Sequence, residues 1–147
     1  MVRTIELKIP SESGFEKVAM NLAGDCAAMM GMTGERIADV KTAVSEACIN
    51  AMEHGNLHDV STKIYVTMTI DQDRLAIDVA DEGRSGVATI DVDAPDVGAQ
   101  IDGLEAPGGM GLFVIKALVD EADFVPPELG RGNQFRMVIH VNPKDPS

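Results

Sequence analysis

Glu46, Asn50 and His54 follow one another at intervals of four residues, so on a helix all three share one face. A carboxylate beside an amide oxygen can hold a hard cation or orient the proton of a nucleophile. Asp81, Glu82 and Gly83 stand where a run of alternating apolar residues stops. An Asp at such a strand end can accept a hydrogen bond from an adenine amino group, a charge-assisted contact that excludes a guanine carbonyl. Gly83 would let the backbone approach the base closely. The third stretch is Pro107-Gly108-Gly109-Met110-Gly111-Leu112, directly before a predicted helix. Glycines at a helix N-terminus let backbone N–H groups reach phosphate oxygens, with the helix dipole assisting.

Each stretch has a plainer reading. Glu, Asn and His commonly solvate a helix face, Asp-x-Gly occurs in ordinary turns, and clustered glycines form hinges. Two familiar phosphate motifs are excluded. The chain has no G-x-x-x-x-G-K-[ST], and its glycines do not follow a strand as a dinucleotide fingerprint requires.

The elements that must position these residues follow from periodicity. Thr4 to Ile9 alternates and predicts a half-buried strand, broken by Pro10. Ser11 or Ser13 is placed to cap a first helix, whose apolar stripe is Phe15, Val18, Leu22, Cys26 and Met29. Gly31 stops that helix, and Thr33 caps a second one with the stripe Ile37, Val40, Val44, Ala47, Cys48 and Ala51. The second helix is expected to end near His54-Gly55-Asn56, with Gly55 in the left-handed closing conformation. Strands Lys63 to Ile70 and Leu75 to Ala80 flank a hairpin at Asp71-Gln72-Asp73. From about 84 to 107 periodicity disappears and Gly, Asp and Pro accumulate, the signature of a mobile lid. A short helix (Leu112, Val114, Ile115, Leu118, Val119) and a last strand (Phe135, Met137, Ile139, Val141) complete the chain. The order β-α-α-β-β-lid-α-β predicts one α+β domain over residues 1–147, a mixed, mainly antiparallel sheet with helices on one face.

The bulk composition bounds the function. The 147 residues are 45% hydrophobic but only 3% aromatic, so the core is aliphatic, with nine Met as adaptable filler. A net charge of −12 argues against a nucleic-acid or anionic-membrane surface. Cys26 and Cys48 lack metal-ligand spacing and are expected to be buried, reduced thiols. No apolar run is long enough to span a bilayer, and the N-terminus alternates like a strand rather than a signal peptide, so a cytoplasmic location is expected. ATP would add negative charge to an acidic chain. Mg²⁺ must offset part of it, and any help from side chains must come from Arg84, Lys116, Arg131 or Arg136.

Taken in order, the three stretches resemble the motifs of the GHKL ATPase superfamily. Glu46 to His54 looks like its N box, Asp81-x-Gly83 like its first glycine box, and Gly109-x-Gly111 like its second. Ala43-Val44-Ser45-Glu46-Ala47-Cys48-x-Asn50-Ala51 with His54, and Gly108-Gly109-Met110-Gly111-Leu112-Phe113-Val114-Ile115, are similar to the wording of the small anti-sigma-factor serine/threonine kinases. The resemblance spans from about Ile5 to the last strand. It implies a Bergerat-type two-layer α/β sandwich holding ATP and Mg²⁺, with Asn50 as the metal ligand and Glu46 acting on the acceptor hydroxyl. Asp81 would read adenine, and Gly109 and Gly111 would make room for phosphates. His54, Gly83, Met110, Leu112 and Asn133 complete the implied nucleotide-binding set. The implied activity is phosphorylation of a serine on an anti-anti-sigma protein of the STAS type, together with sequestration of a sigma factor, by a homodimer. The alternative is a nucleotide-gated adaptor that captures its partner without phosphotransfer. Two positions depart from the pattern. Relatives often carry Thr where the last strand begins, whereas this chain has Asn133, which can donate a hydrogen bond too. Relatives that grip a sigma factor often have a basic residue in the first helix, where this chain has Ala19 and Met20, with Lys17 the nearest charge.

Overall fold

The computed structural model describes residues 1–83 and 107–142, and of 107–110 the backbone alone. Its elements are β1 (Arg3–Pro10), α1 (Glu16–Met29), α2 (Gly34–Asn50), a π-helical turn (Ala51–Gly55), β2 (Lys63–Ile70), β3 (Arg74–Ala80), α3 (Pro107–Leu118), β4 (Glu121–Val125) and β5 (Gln134–His140). The segment expected to form a lid, with Arg84, lies outside the described residues.

Five strands form one sheet in the order β1-β2-β3-β5-β4. All four pairings are antiparallel, so the expected mixed sheet is antiparallel throughout the described residues. Register explains the core. Leu7 faces Val66, which faces Val79, then Phe135, then Phe124, a row crossing all five strands on one side. Ile5, Met68, Ile77, Met137 and Ala122 form the parallel row beside it. With period-two alternation, Glu6, Tyr65, Asp78 and Arg136 fall on the opposite face. There the Arg136 Nε donates to Asp78 Oδ1 at 2.8 Å.

β4 has no counterpart in the sequence reading. Glu-Ala-Asp-Phe-Val is a five-residue edge strand with two acids, and only Ala122 and Phe124 point inward. So short an alternation is invisible until β5 lies beside it.

The second helix packs as its stripe predicts: Val40, Val44, Ala47, Cys48 and Ala51 are buried. Thr33 caps it, accepting a hydrogen bond from the Arg36 N–H at 3.2 Å. Burial, with a smaller contribution from the charge of Glu16, pushes the Cys48 thiol up to about 12, so it stays protonated as a small apolar core residue.

The first helix differs from expectation. Of its predicted stripe only Cys26 is buried; Phe15, Val18 and Met29 are exposed and Leu22 is intermediate. The buried face is instead Ala19, Ala23 and Ala27 with Gly24. Small side chains at intervals of four let α1 lie close on α2: a Cβ on Gly24 would stand 2.9 Å from Lys41 Cδ. Nor does Ser11 or Ser13 cap α1. The N-cap is Phe15, without a side-chain cap, and Glu16 Oε1 accepts the Gly14 N–H at 2.6 Å. Ser11 is buried and accepts a hydrogen bond from Asn56 instead.

A polar staple fixes the far end of the sandwich. Arg36 Nη2 donates to Asp120 Oδ2 at 2.6 Å and to the His140 carbonyl at 3.0 Å, tying the start of α2 to the ends of α3 and β5. None of the helices among the described residues is long and apolar enough to cross a membrane.

Candidate functional site

Asp81 is the residue after β3, where the chain leaves the sheet beside the start of β5. Its backbone N–H donates to the Asn133 carbonyl at 3.0 Å, extending the ladder by one residue. Its carboxylate is held from two sides. Oδ1 accepts the Gly83 N–H at 2.9 Å and the Asn133 N–H at 3.0 Å, while Oδ2 accepts the Asn133 side-chain amide at 3.4 Å. Burial raises the Asp81 pKa, and these three hydrogen bonds act against it.

Two glycines that the sequence reading did not assign to the site make that seat possible. A Cβ on Gly55 would fall far inside van der Waals contact of Asp81 Oδ2. A Cβ on Gly132 would stand 2.5 Å from the Asp81 carbonyl oxygen and 2.7 Å from its Oδ1. Gly55 thus serves by its missing side chain. It does not take the left-handed closing conformation expected of it, which falls to Leu57 (φ 51°) and His58 (φ 60°).

The π-helical turn brings Gly55 to this place. On an α-helix of 3.6 residues per turn, Gly55 would sit about 140° around the axis from Asn50. Here the Asn56 N–H bonds back five residues to the Ala51 carbonyl at 2.9 Å, and the His58 N–H reaches Met52. The wider turn keeps Asn50, His54 and Gly55 on one wall, where all three line the same pocket. Such single π turns recur at functional sites.

Asn56, fully buried, is the other residue that sequence reasoning missed. Its Nδ2 donates to the Lys63 carbonyl at 3.1 Å and to Ser11 Oγ at 3.3 Å, and its Oδ1 accepts the Glu82 N–H at 2.8 Å. It therefore stitches the strand ends around Asp81. Its place directly after His54-Gly55 is the one signal the sequence offered.

The pocket is walled by Asn50, His54 and Gly55 on one side and Asp81 and Asn133 on the other, with apolar Leu112, Phe124 and Phe135 between. Among the described residues, four buried side-chain polar atoms lack a hydrogen-bond partner, and three of them belong to this pocket: Asn50 Nδ2, His54 Nε2 and Asn133 Oδ1. The Glu53 carboxylate, 3.8 Å from His54 Nε2, is too far for a hydrogen bond. Buried polar groups are almost always paired, and leaving one unpaired costs about 1–3 kcal/mol. Three in one concavity mark a place where a polar ligand supplies the missing partners.

Glu46 joins this group through Gly111. A Cβ on Gly111 would stand 2.9 Å from Glu46 Oε2 and 3.0 Å from Asn50 Nδ2. The first and third sequence stretches therefore meet at that glycine. The glycines do not precede the helix as expected. α3 begins at Pro107, so Gly108, Gly109 and Gly111 lie within its first turns, as does the Met110 backbone. Leu112 is buried against the pocket.

Three of the four basic residues considered for phosphate contact are engaged elsewhere. Arg136 pairs with Asp78 on the opposite sheet face, Arg131 lies 3.4 Å from Glu82, and Lys116 lies 4.0 Å from Asp123.

The donor set suits Mg²⁺ arriving with phosphates. Among the described residues the Asn50 amide nitrogen has no hydrogen-bond partner, so no bond there keeps the amide from turning its Oδ1 to a cation, with the Glu46 carboxylate alongside. Among the described residues no group of three or more His, Cys, Asp or Glu could hold a metal unaided. Mg²⁺ ordinarily takes one or two protein oxygens plus substrate phosphates.

The family described as Histidine kinase-like ATPase domain matches residues 13–139. The chain is 34% identical over 122 residues to Serine-protein kinase RsbW of Bacillus subtilis (strain 168), covering 80% of this chain and 74% of that one. Over 122 residues it is 35% identical to the protein of the same name from Bacillus velezensis, with the same coverage. Over 144 residues it is 34% identical to that of Oceanobacillus iheyensis, covering 94% of this chain and 84% of the relative. The chain belongs to the histidine kinase-like ATPase family, alongside the RsbW serine-protein kinases.

Proposed function

We propose that this protein is an ATP-dependent serine protein kinase of a partner-switching system, phosphorylating an anti-anti-sigma protein of the STAS type and sequestering a sigma factor as a homodimer in the cytoplasm. The observation that carries the nucleotide part is the convergence of Asn50 Nδ2, His54 Nε2 and Asn133 Oδ1, all buried and unpaired, on the pocket that Asp81 lines. The serine-protein kinase relatives support the kinase part.

In this reading Asp81 Oδ2 accepts a hydrogen bond from the adenine amino group, and the apolar wall of Leu112, Phe124 and Phe135 covers the base. The phosphates extend toward Gly109, Met110 and Gly111, with Gly83 at the edge of the base. Asn50 would hold Mg²⁺, which when bound offsets phosphate charge on a protein already at −12. Glu46, beside Asn50, takes the proton of the acceptor serine as its oxygen bonds to the γ-phosphorus and the bond to ADP breaks. Phosphoryl transfer needs little covalent help, so positioning of these groups supplies most of the catalysis.

The test is incubation of the protein with labelled ATP and its antagonist partner. Wild type is expected to place phosphate on a partner serine. Glu46→Ala should lose transfer by about two to four orders of magnitude, the range for loss of a general base, while ATP affinity changes by only a few fold. Transfer that survives in Glu46→Ala would remove Glu46 from the chemistry. Partner capture without any phosphoserine would favour a nucleotide-gated adaptor, a reading motivated by the exposed Phe15, Val18 and Met29 on α1.

A further inference from the structure

The Asn133 side chain lines the pocket, yet its two polar ends have different surroundings. Nδ2 donates to Asp81 Oδ2 at 3.4 Å, whereas Oδ1 is buried with no partner. Asn133 as a whole is only 7% exposed. The amide orientation is fixed by electrostatics. Turning it over would set its oxygen against the Asp81 carboxylate, an acceptor against an acceptor. Asp81 is in turn held by backbone N–H groups on Oδ1, so Oδ2 is the carboxylate oxygen left to face Asn133 and Gly55. Two residues that line the pocket therefore each carry an acceptor, Asp81 Oδ2 and Asn133 Oδ1, while the Asn133 amide nitrogen is already engaged with Asp81.

From this we infer that Asn133 is a specificity-determining residue that accepts the second hydrogen of the exocyclic amino group of the purine, Asp81 taking the first. This rests on the nucleotide reading above and sharpens it. Asn133 acts toward the base as an acceptor rather than in the donor role that its sequence position suggests. An amino group carries two N–H donors and satisfies both oxygens. A base lacking the group leaves both buried acceptors unpaired, and sites built to hydrogen-bond a substrate group reject analogues without it most strongly.

The experiment compares ATP with purine riboside triphosphate, which lacks the 6-amino group, by calorimetric titration in Mg²⁺ buffer on wild type and Asn133→Ala. Deleting the amino group is expected to weaken binding to wild type about a hundredfold and to Asn133→Ala about tenfold, since one of two buried pairings is already gone. A ratio of affinities that is the same in both proteins would overturn the inference while leaving ATP binding intact. Failure of wild type to bind ATP would overturn the nucleotide reading and this one with it. Because Asn133→Ala also removes a support of Asp81, a second measurement uses wild type alone. ATP labelled with ¹⁵N at the 6-amino group should show both amino protons shifted downfield on binding. A single shifted proton would overturn the inference.

Discussion

At the residue scale, Asp81 combines two demands that pull in opposite directions. The three hydrogen bonds it accepts favour the ionised carboxylate, yet burial outweighs them and raises its pKa above the ordinary 3.8. The native state therefore holds a proton more tightly than the unfolded chain does. On this account the stability contribution of Asp81 falls as pH rises from 3.8 through the raised value, and the loss is complete above it. Urea unfolding of wild type and Asp81→Asn across pH 4 to 7 isolates that contribution, because the other carboxylates cancel in the difference. The stability of wild type relative to the variant should decline as pH rises; a difference that grows would contradict the assignment. Glu46 sits at the other end of the same pocket, and its truncation tests chemistry where Asp81 tests binding. Glu46, Asn50, His54 and Asp81 were legible in the sequence because each comes from a short local pattern. Asn56 and Gly132 were not, since their partners lie 26 and 51 residues away, in Glu82 and Asp81.

At the element scale, the π-helical turn decides whether α2 and β3 can share a pocket. Gly55→Ala should abolish the fit, because its Cβ has no space beside Asp81 Oδ2. A cost of about 1–3 kcal/mol is expected from overpacking, together with at least a tenfold loss of ATP affinity. Gly34→Ala is the matched control. It lies in the first turn of α2 with nothing near its would-be Cβ, and should be neutral or stabilising by up to about 1 kcal/mol. Chemical unfolding and nucleotide titration of the two variants check both statements; equal effects would show that the approach of Gly55 to Asp81 is unimportant. The first helix carries a related lesson. Its periodicity was real, but two faces were periodic, one of large apolar residues and one of Ala19, Ala23 and Ala27. Close approach of α2 selected the small face, and the larger residues were left outward.

At the scale of the whole molecule, a cation is expected to offset the charge that an anionic nucleotide adds to a protein already at −12. Saturating ATP with Mg²⁺ is expected to stabilise the folded state by about 2.7 kcal/mol at a hundred times the dissociation constant. Chelating the metal should remove most of that gain, as read from the shift in unfolding midpoint. An equal shift with and without Mg²⁺ would count against Asn50 as a metal ligand. The engagement of Lys116, Arg131 and Arg136 with acidic neighbours strengthens this expectation, since among the described residues these candidate phosphate cations already have carboxylate partners.

The three chemical stretches, the second helix, the hairpin and the antiparallel strands that alternate cleanly were determined by sequence alone. Each depends on contacts or periodicities within a few residues. What the tertiary structure decided was their convergence. Gly111 closing on Glu46 and Asn50, Gly55 closing on Asp81, the strand β4, and the buried, unpaired Asn133 oxygen all depend on residues brought together across the sheet. The resemblance of the motifs named a nucleotide pocket of Asp81, Asn50 and the glycines. The fold added why Gly55, Gly111 and Gly132 carry no side chain: Asp81, Glu46 and Asn50 leave no room for a carbon there.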